Sequence, residues 1–203
     1  MTFRSALVLP LATLAVAGTV GFRSAGAPGG SLVGTVKATG LSSNADAVVY
    51  LVQAPGTFTA TTANMDQKQM QFIPHVLPVL IGTTVKFLNS DPTPHNVFSG
   101  DYEKFNLGTW PQGQTKDHAF DKCAKFPCVY TALCRVHAEM EGFVVVLQNP
   151  FFAVSGKDGR YAIENIPSGK YDVGIWHPKL KGQGKPVTVQ AGAPVTLDFV
   201  LAR

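Results

Sequence analysis

The segment VYTALCRVHAEMEGFVVV sets Cys134, His137 and Met140 in a C-x2-H-x2-M array between two strand-like runs. A short loop closed between two strands can turn all three side chains towards one point. A thiolate, an imidazole and a thioether are soft to intermediate ligands. A second imidazole would complete the set of two His, one Cys and a weak axial Met that suits copper in an electron-transfer site. His95 can supply it. In TVKFLNSDPTPHNVFS it opens a short apolar strand directly after a Pro-containing loop, a rigid place from which to hold a ligand.

Four such residues need stiff elements around them, and the chain has the composition to build these. It has 203 residues, 45% hydrophobic and 15% charged, enough for one domain or two small ones and unlike a disordered chain. Its 20 Gly and 14 Pro fall between short apolar runs rich in Val, Phe and Thr, the pattern of an all-β protein with many turns. SLVGTVK (31–37) and ADAVVYLVQ (45–53) flank the turn-rich TGLSSN and predict a hairpin, while APGTFTATTANMD (54–66) predicts a polar connection. Strands are expected from QMQFI through LPVLIGTTVKFLN to HNVFS, where Val85, Phe87 and Asn89 alternate with Thr84, Lys86 and Leu88. DHAF, FPCVYTALC and GFVVVLQN follow. From residue 150 the texture changes, with tight turns at Lys157-Asp158-Gly159 and Pro167-Ser168-Gly169, and with PVTVQ and APVTLDFVLA at the end. No long internal repeat marks a solenoid or propeller.

Residues 1–27 hold Arg4, an apolar stretch interrupted by Pro10, and small residues at Ala15-Val16-Ala17 and Ala25-Gly26-Ala27, the pattern of a secretory signal cleaved after Ala17 or Ala27. The expected location is periplasmic or extracellular, with no membrane span once the signal is removed. Removal of residues 1–27 takes Arg4 and Arg23 from 17 basic residues, against 13 acidic ones, and leaves a net charge of about +2. Nucleic acid is therefore not an expected partner.

The passage from Met65 to Gln148 resembles the cupredoxins, and its ligand loop is similar to those of the amicyanin and plastocyanin kind. The likeness rests on Val85, Phe87, Asn89, Asp91, His95, Asn96, Val97, Tyr130, Cys134, His137, Met140, Gly142, Val144 and Val146. It implies a Greek-key β-sandwich with one type 1 copper ion, held by His95, Cys134 and His137 in the equatorial plane and Met140 on the axis. It also implies that Asn96 ties the two ligand loops together, and that the protein passes single electrons between redox partners such as a cytochrome or a dehydrogenase. The stretch ending in FIPH, with His75, is similar to bacterial cupredoxin-like proteins labelled methylamine utilisation proteins. DKCAKFPCVY departs from the cupredoxin pattern. In an exported protein Cys123 and Cys128 are expected to form a disulfide, leaving Cys134 for the metal. His118 is expected to be solvated, and His177 to cap or pack.

SLVGTVK, ADAVVYL and the C-terminal segment GKDGRYAIENIPSGKYDVGIWHP resemble the two halves of a carboxypeptidase regulatory-like or transthyretin-like sandwich. The organisation this implies is a signal at 1–27, a first half-sandwich at 31–62, a copper domain at 63–149 inserted into it, and the second half at 150–203. One enlarged cupredoxin with extra strands is the alternative. A copper oxidase would need a His beside Cys134 to bridge to further metal, and the neighbours are Leu133 and Arg135. The expectation is therefore an electron carrier rather than an enzyme, with a copper-binding or docking module as the other possibility.

Overall fold

A computed structural model describes residues 29–203, so the expected signal lies outside the described residues. The chain runs through β1 (Gly30–Ala38), β2 (Val48–Leu51), β3 (Thr62–Lys68), β4 (Gln71–Ile73), β5 (Val76–Leu80) and β6 (Thr83–Asn89). It continues through β7 (His95–Ser99), β8 (Phe105–Trp110), β9 (Thr115–Phe120), β10 (Cys128–Leu133), β11 (Glu141–Leu147) and β12 (Phe152–Val154). It closes with β13 (Arg160–Ile166), β14 (Gly169–Trp176), β15 (Lys185–Val189), β16 (Pro194–Thr196) and β17 (Phe199–Leu201). The fold is all-β. Among the described residues no helix is long and apolar enough to cross a membrane.

Four sheets result, ordered β4-β3-β6-β9, β5-β11-β10-β7-β8, β12-β2-β14-β15 and β13-β1-β16, with β17 also on β1. Three apolar layers join them into a stack. Met65 and Phe87 meet Tyr130, Val144 and Val146 between the first two sheets. Val76, Phe143 and Val145 meet Val48 and Trp176 between the second and third. Val49, Leu51 and Val173 meet Leu32, Ile163 and Phe199 between the third and fourth. The first pair of sheets is drawn from residues 62–147; the second pair is drawn from both sides of that span.

β11 shows why the stack holds. Its GFVVVL run is buried at every position, because Val144 and Val146 face one core while Phe143 and Val145 face the next. Fully burying a side chain of this size stabilises by about 1.5–3 kcal/mol. A strand covered on both faces has no place for the polar residues of a half-buried one.

Three expectations are corrected. The hairpin of residues 31–53 does not form: β1 pairs with β13, β16 and β17, and β2 with β12 and β14. The two runs lie in different sheets and meet face to face through Leu32, Val36, Val49 and Leu51. Alternation requires a covered face but does not say whether the neighbour lies beside the strand or opposite it. The polar connection of 54–66 ends early, since Thr62 to Asp66 join β3, which pairs in parallel with β6 from Thr62↔Thr84 onward. His118 is half-buried rather than solvated. Its ring stacks on Phe105 at 4.0 Å and meets Phe120 edge-on, and burial lowers its pKa.

Candidate metal centre

β10 and β11 form a hairpin in register from Cys128↔Val146 to Leu133↔Glu141, so residues 134–140 are its loop. Cys134, His137 and Met140 all lie on that loop. The Met140 N–H donates to the His137 carbonyl at 3.1 Å, which folds the loop's far side into a turn. Gly142 follows where β11 passes Phe72: an added Cβ would stand 2.6 Å from the Phe72 Cβ, so only glycine fits. β7 runs beside β10, pairing Phe98 with Leu133, and so brings His95 alongside Cys134.

The donor atoms converge. Nδ1 of His95 lies 3.0 Å from Nδ1 of His137 and 3.9 Å from Sγ of Cys134, and one donor atom from each of the three residues lies within 4.8 Å of the others. With metal–nitrogen bonds of about 2.0 Å and metal–sulfur bonds of about 2.3 Å, donors around one ion stand roughly 3–4 Å apart. The group therefore fits a single soft to intermediate ion. His95 is fully buried and Cys134 is 4% exposed. Met140 is 1% exposed and belongs to the same apolar cluster as Cys134. Cys123 and Cys128 form a disulfide, and Cys134 is the free cysteine among the described residues.

Two side chains hold these donors. Asn96 accepts from the Arg135 N–H at 3.4 Å and donates to the Asn106 side chain and the Gly108 carbonyl, while its own N–H donates to Cys134 Sγ at 3.5 Å. It thus bridges the His95 strand and the Cys134 loop. The other is Asp91, which the sequence pattern contained without a role. Its Oδ2 accepts from His95 Nε2 at 2.9 Å, which selects the Nε2–H tautomer and leaves the Nδ1 lone pair facing Cys134.

Asp91 also accepts the N–H groups of Gln69 at 2.6 Å and Met70 at 2.9 Å. Those residues form the two-residue turn between β3 and β4, both at φ +55°, a left-handed pair that such a turn requires and that side-chain-bearing residues seldom adopt. Burial pushes the Asp91 carboxyl up, but the Met70 and Gln69 amides and the His95 ring outweigh it and hold the pKa below the usual range. Asn89 shapes the intervening loop, accepting from the Asp91 N–H and donating to the Thr93 and Trp110 carbonyls. The acid four residues before His95 was the available signal for Asp91. Its bonds to the distant turn had none.

The other two histidines lie between the two pairs of sheets. His75 Nδ1 contacts Asp46 Oδ2 at 2.8 Å, and buried His177 accepts the Lys179 N–H at 3.0 Å through Nδ1, a strand-end cap.

Residues 136–202 match the carboxypeptidase regulatory-like domain family. No curated protein matches the chain. Among solved structures, the chain is similar to a purple cupredoxin from Nitrosopumilus maritimus, at 27% identity over 41% of this chain and 98% of that one, with a TM-score of 0.36. It is also similar to an amicyanin variant in its oxidised state, at 25% identity over 42% of this chain and 81% of that one, with a TM-score of 0.37.

Proposed function

We propose that this chain is a one-electron carrier holding one type 1 copper ion through His95, Cys134, His137 and Met140. The observation that supports it is the convergence of two imidazole Nδ1 atoms and the free thiol of Cys134 at the loop end of the inner sandwich. When bound, copper supplies one-electron chemistry by alternating between its +1 and +2 states. The chain's task is to keep its donors still. Asp91 fixes the His95 ring, Asn96 locks the two ligand loops, and the hairpin sets Cys134 and Met140 at the ends of paired strands. Ligands held by such buried bonds need little rearrangement when the charge changes.

His137 is the least buried of the three converging donors, and Val136 beside it is 49% exposed. Exposed Val136 beside the half-buried His137 makes this edge the place where a redox partner, a cytochrome or a dehydrogenase, would approach the metal through a small transient contact. With Leu133 and Arg135 beside Cys134, no bridge leads to a second metal, and the reading is a carrier, not an enzyme. The Cys123–Cys128 disulfide accords with a periplasmic or secreted location. The residue spans of the four sheets favour a copper domain inserted between the halves of a carboxypeptidase regulatory-like sandwich.

Adding Cu(II) to the purified metal-free protein tests this reading. An intense visible thiolate-to-copper band is expected at one copper per chain. A colourless complex with ordinary tetragonal resonance parameters would overturn it.

A further inference from the structure

The strand that follows Met140 is braced, directly and through His75 beside β5, against the outer pair of sheets. Phe143, three residues on, donates its N–H to the His75 carbonyl at 2.8 Å, and the His75 ring meets the Phe143 ring edge-on at 5.4 Å. His75 Nδ1 in turn is held at 2.8 Å by Asp46, which precedes β2 in the outer pair of sheets. On its other side the Phe143 ring packs at 5.4 Å on Trp176, the last residue of β14 in the same outer sheet. His75 and Met140 also line one surface cavity, together with Phe72 and Glu141.

Asp46 is itself held in an unusual conformation. Its φ is +71°, a left-handed geometry that Asp tolerates better than most residues. Its N–H donates to the Ser155 carbonyl, and the Ala47 N–H donates to the Ser155 hydroxyl. The hydrogen bond from His75 holds the Asp46 carboxyl below the usual range against the opposing effect of burial, with electrostatic attraction towards His75, His177 and Lys179 adding to it. A strained residue pinned this way, with its carboxylate on a ring that braces the arm behind Met140, has the form of a positioning device.

We propose that the outer sandwich is a working part of the metal centre: Asp46, through His75, and Trp176, through Phe143, clamp the start of β11 and so fix where Met140 stands. Asp46, His75 and Trp176 are positioning residues that do not touch the metal. The proposal rests on the copper reading only for its consequence at the metal, and the mechanical link is open to test without metal. Weakening the clamp lets Met140 withdraw, which destabilises Cu(II) more than Cu(I).

The test compares Asp46→Ala, Asp46→Asn and Trp176→Leu with the unaltered chain. In metal-free protein, amide hydrogen exchange at Gly142 and Phe143 should accelerate at least tenfold in Asp46→Ala and Trp176→Leu. Asp46→Asn, which tolerates the same φ and still accepts from His75, should restore most of the protection. In copper-loaded protein, the first two variants should raise the reduction potential by less than Met140→Leu does, with the blue band kept, and Asp46→Asn should return it towards the original value. Unchanged exchange at Gly142 and Phe143 in both Asp46→Ala and Trp176→Leu would overturn the clamp whatever metal is bound. So would faster exchange with an unmoved potential in a protein that is blue. An unaltered chain that stays colourless with Cu(II) would overturn the copper reading alone, leaving exchange to decide the clamp.

Discussion

The two pairs of sheets solve the same packing problem with different interiors. The outer pair is filled by Leu32, Val36, Val49, Leu51, Ile163, Val189 and Phe199, with Tyr161 bonded to a backbone carbonyl at its rim. The inner pair encloses Met65, Phe87 and Val146 but also buries the hydrogen-bonded group Asn89, Asp91, His95 and Asn96. Buried polar groups cost free energy unless each finds partners, and a network that satisfies them specifies one geometry. The inner sandwich uses buried polarity to aim its donors, whereas the outer one contributes rigidity through apolar contact and a few bonds at the joint.

Four sets of variants separate the two interiors, and the largest effect is expected at the inner site. Cys134→Ser removes the only free thiol among the described residues while the surrounding strands keep their apolar packing. The variant should fold and stay soluble, and absorption spectroscopy with Cu(II) should show complete loss of the charge-transfer band. A retained band would move the sulfur ligand elsewhere.

Leu32→Ala makes the matching change in the outer core, where Leu32 is fully buried and distant in packing from Phe143 and Trp176. Denaturant unfolding should show a loss of about 3 kcal/mol, as for other large-to-small changes in a packed core, with the visible spectrum unaltered. A bleached spectrum in folded protein would mean that the outer core itself shapes the donors.

The disulfide falls between these cases. It belongs to the inner sandwich by position but not to the donor set, so Cys123→Ser with Cys128→Ser should cost about 2 kcal/mol through the closed loop and leave the band in place. Thiol titration of the unfolded, unreduced, metal-free protein should find one free thiol. Three would show that the bridge does not form in solution.

His118 gives the smallest effect. Burial holds its pKa below the ordinary value in the folded chain, so the unfolded chain takes up a proton first as pH falls. Its share of stability is present above about pH 6.5 and is lost as pH falls through the lowered folded pKa. His118→Phe keeps the stack on Phe105 and should flatten the stability profile from about pH 7 downward relative to the unaltered chain. Equal slopes in the two proteins would remove His118 from the acid response.

The features legible in the sequence are mostly local. Cys134, His137 and Met140 share one hairpin loop, so their spacing already limits them to one neighbourhood, and Cys123 and Cys128 stand close enough along the chain to bridge. The alternation in β6 was legible for a similar reason, since buried Val85, Phe87 and Asn89 follow from the pleat of a single strand. Pairings between distant segments were not. β1 and β2 have the residues of a hairpin, yet β13 and β14 compete successfully for their edges because face-to-face packing of Leu32 and Val36 on Val49 and Leu51 covers more apolar surface than an isolated hairpin can. The left-handed turn at Gln69 and Met70 has no glycine to announce it and depends on Asp91, which lies more than twenty residues away in the chain. The contact of His75 with Asp46 likewise exists only once four sheets are stacked. Donor chemistry and strand period are properties of adjacent residues, whereas the bonds that aim the donors join groups that only long-range packing brings within reach.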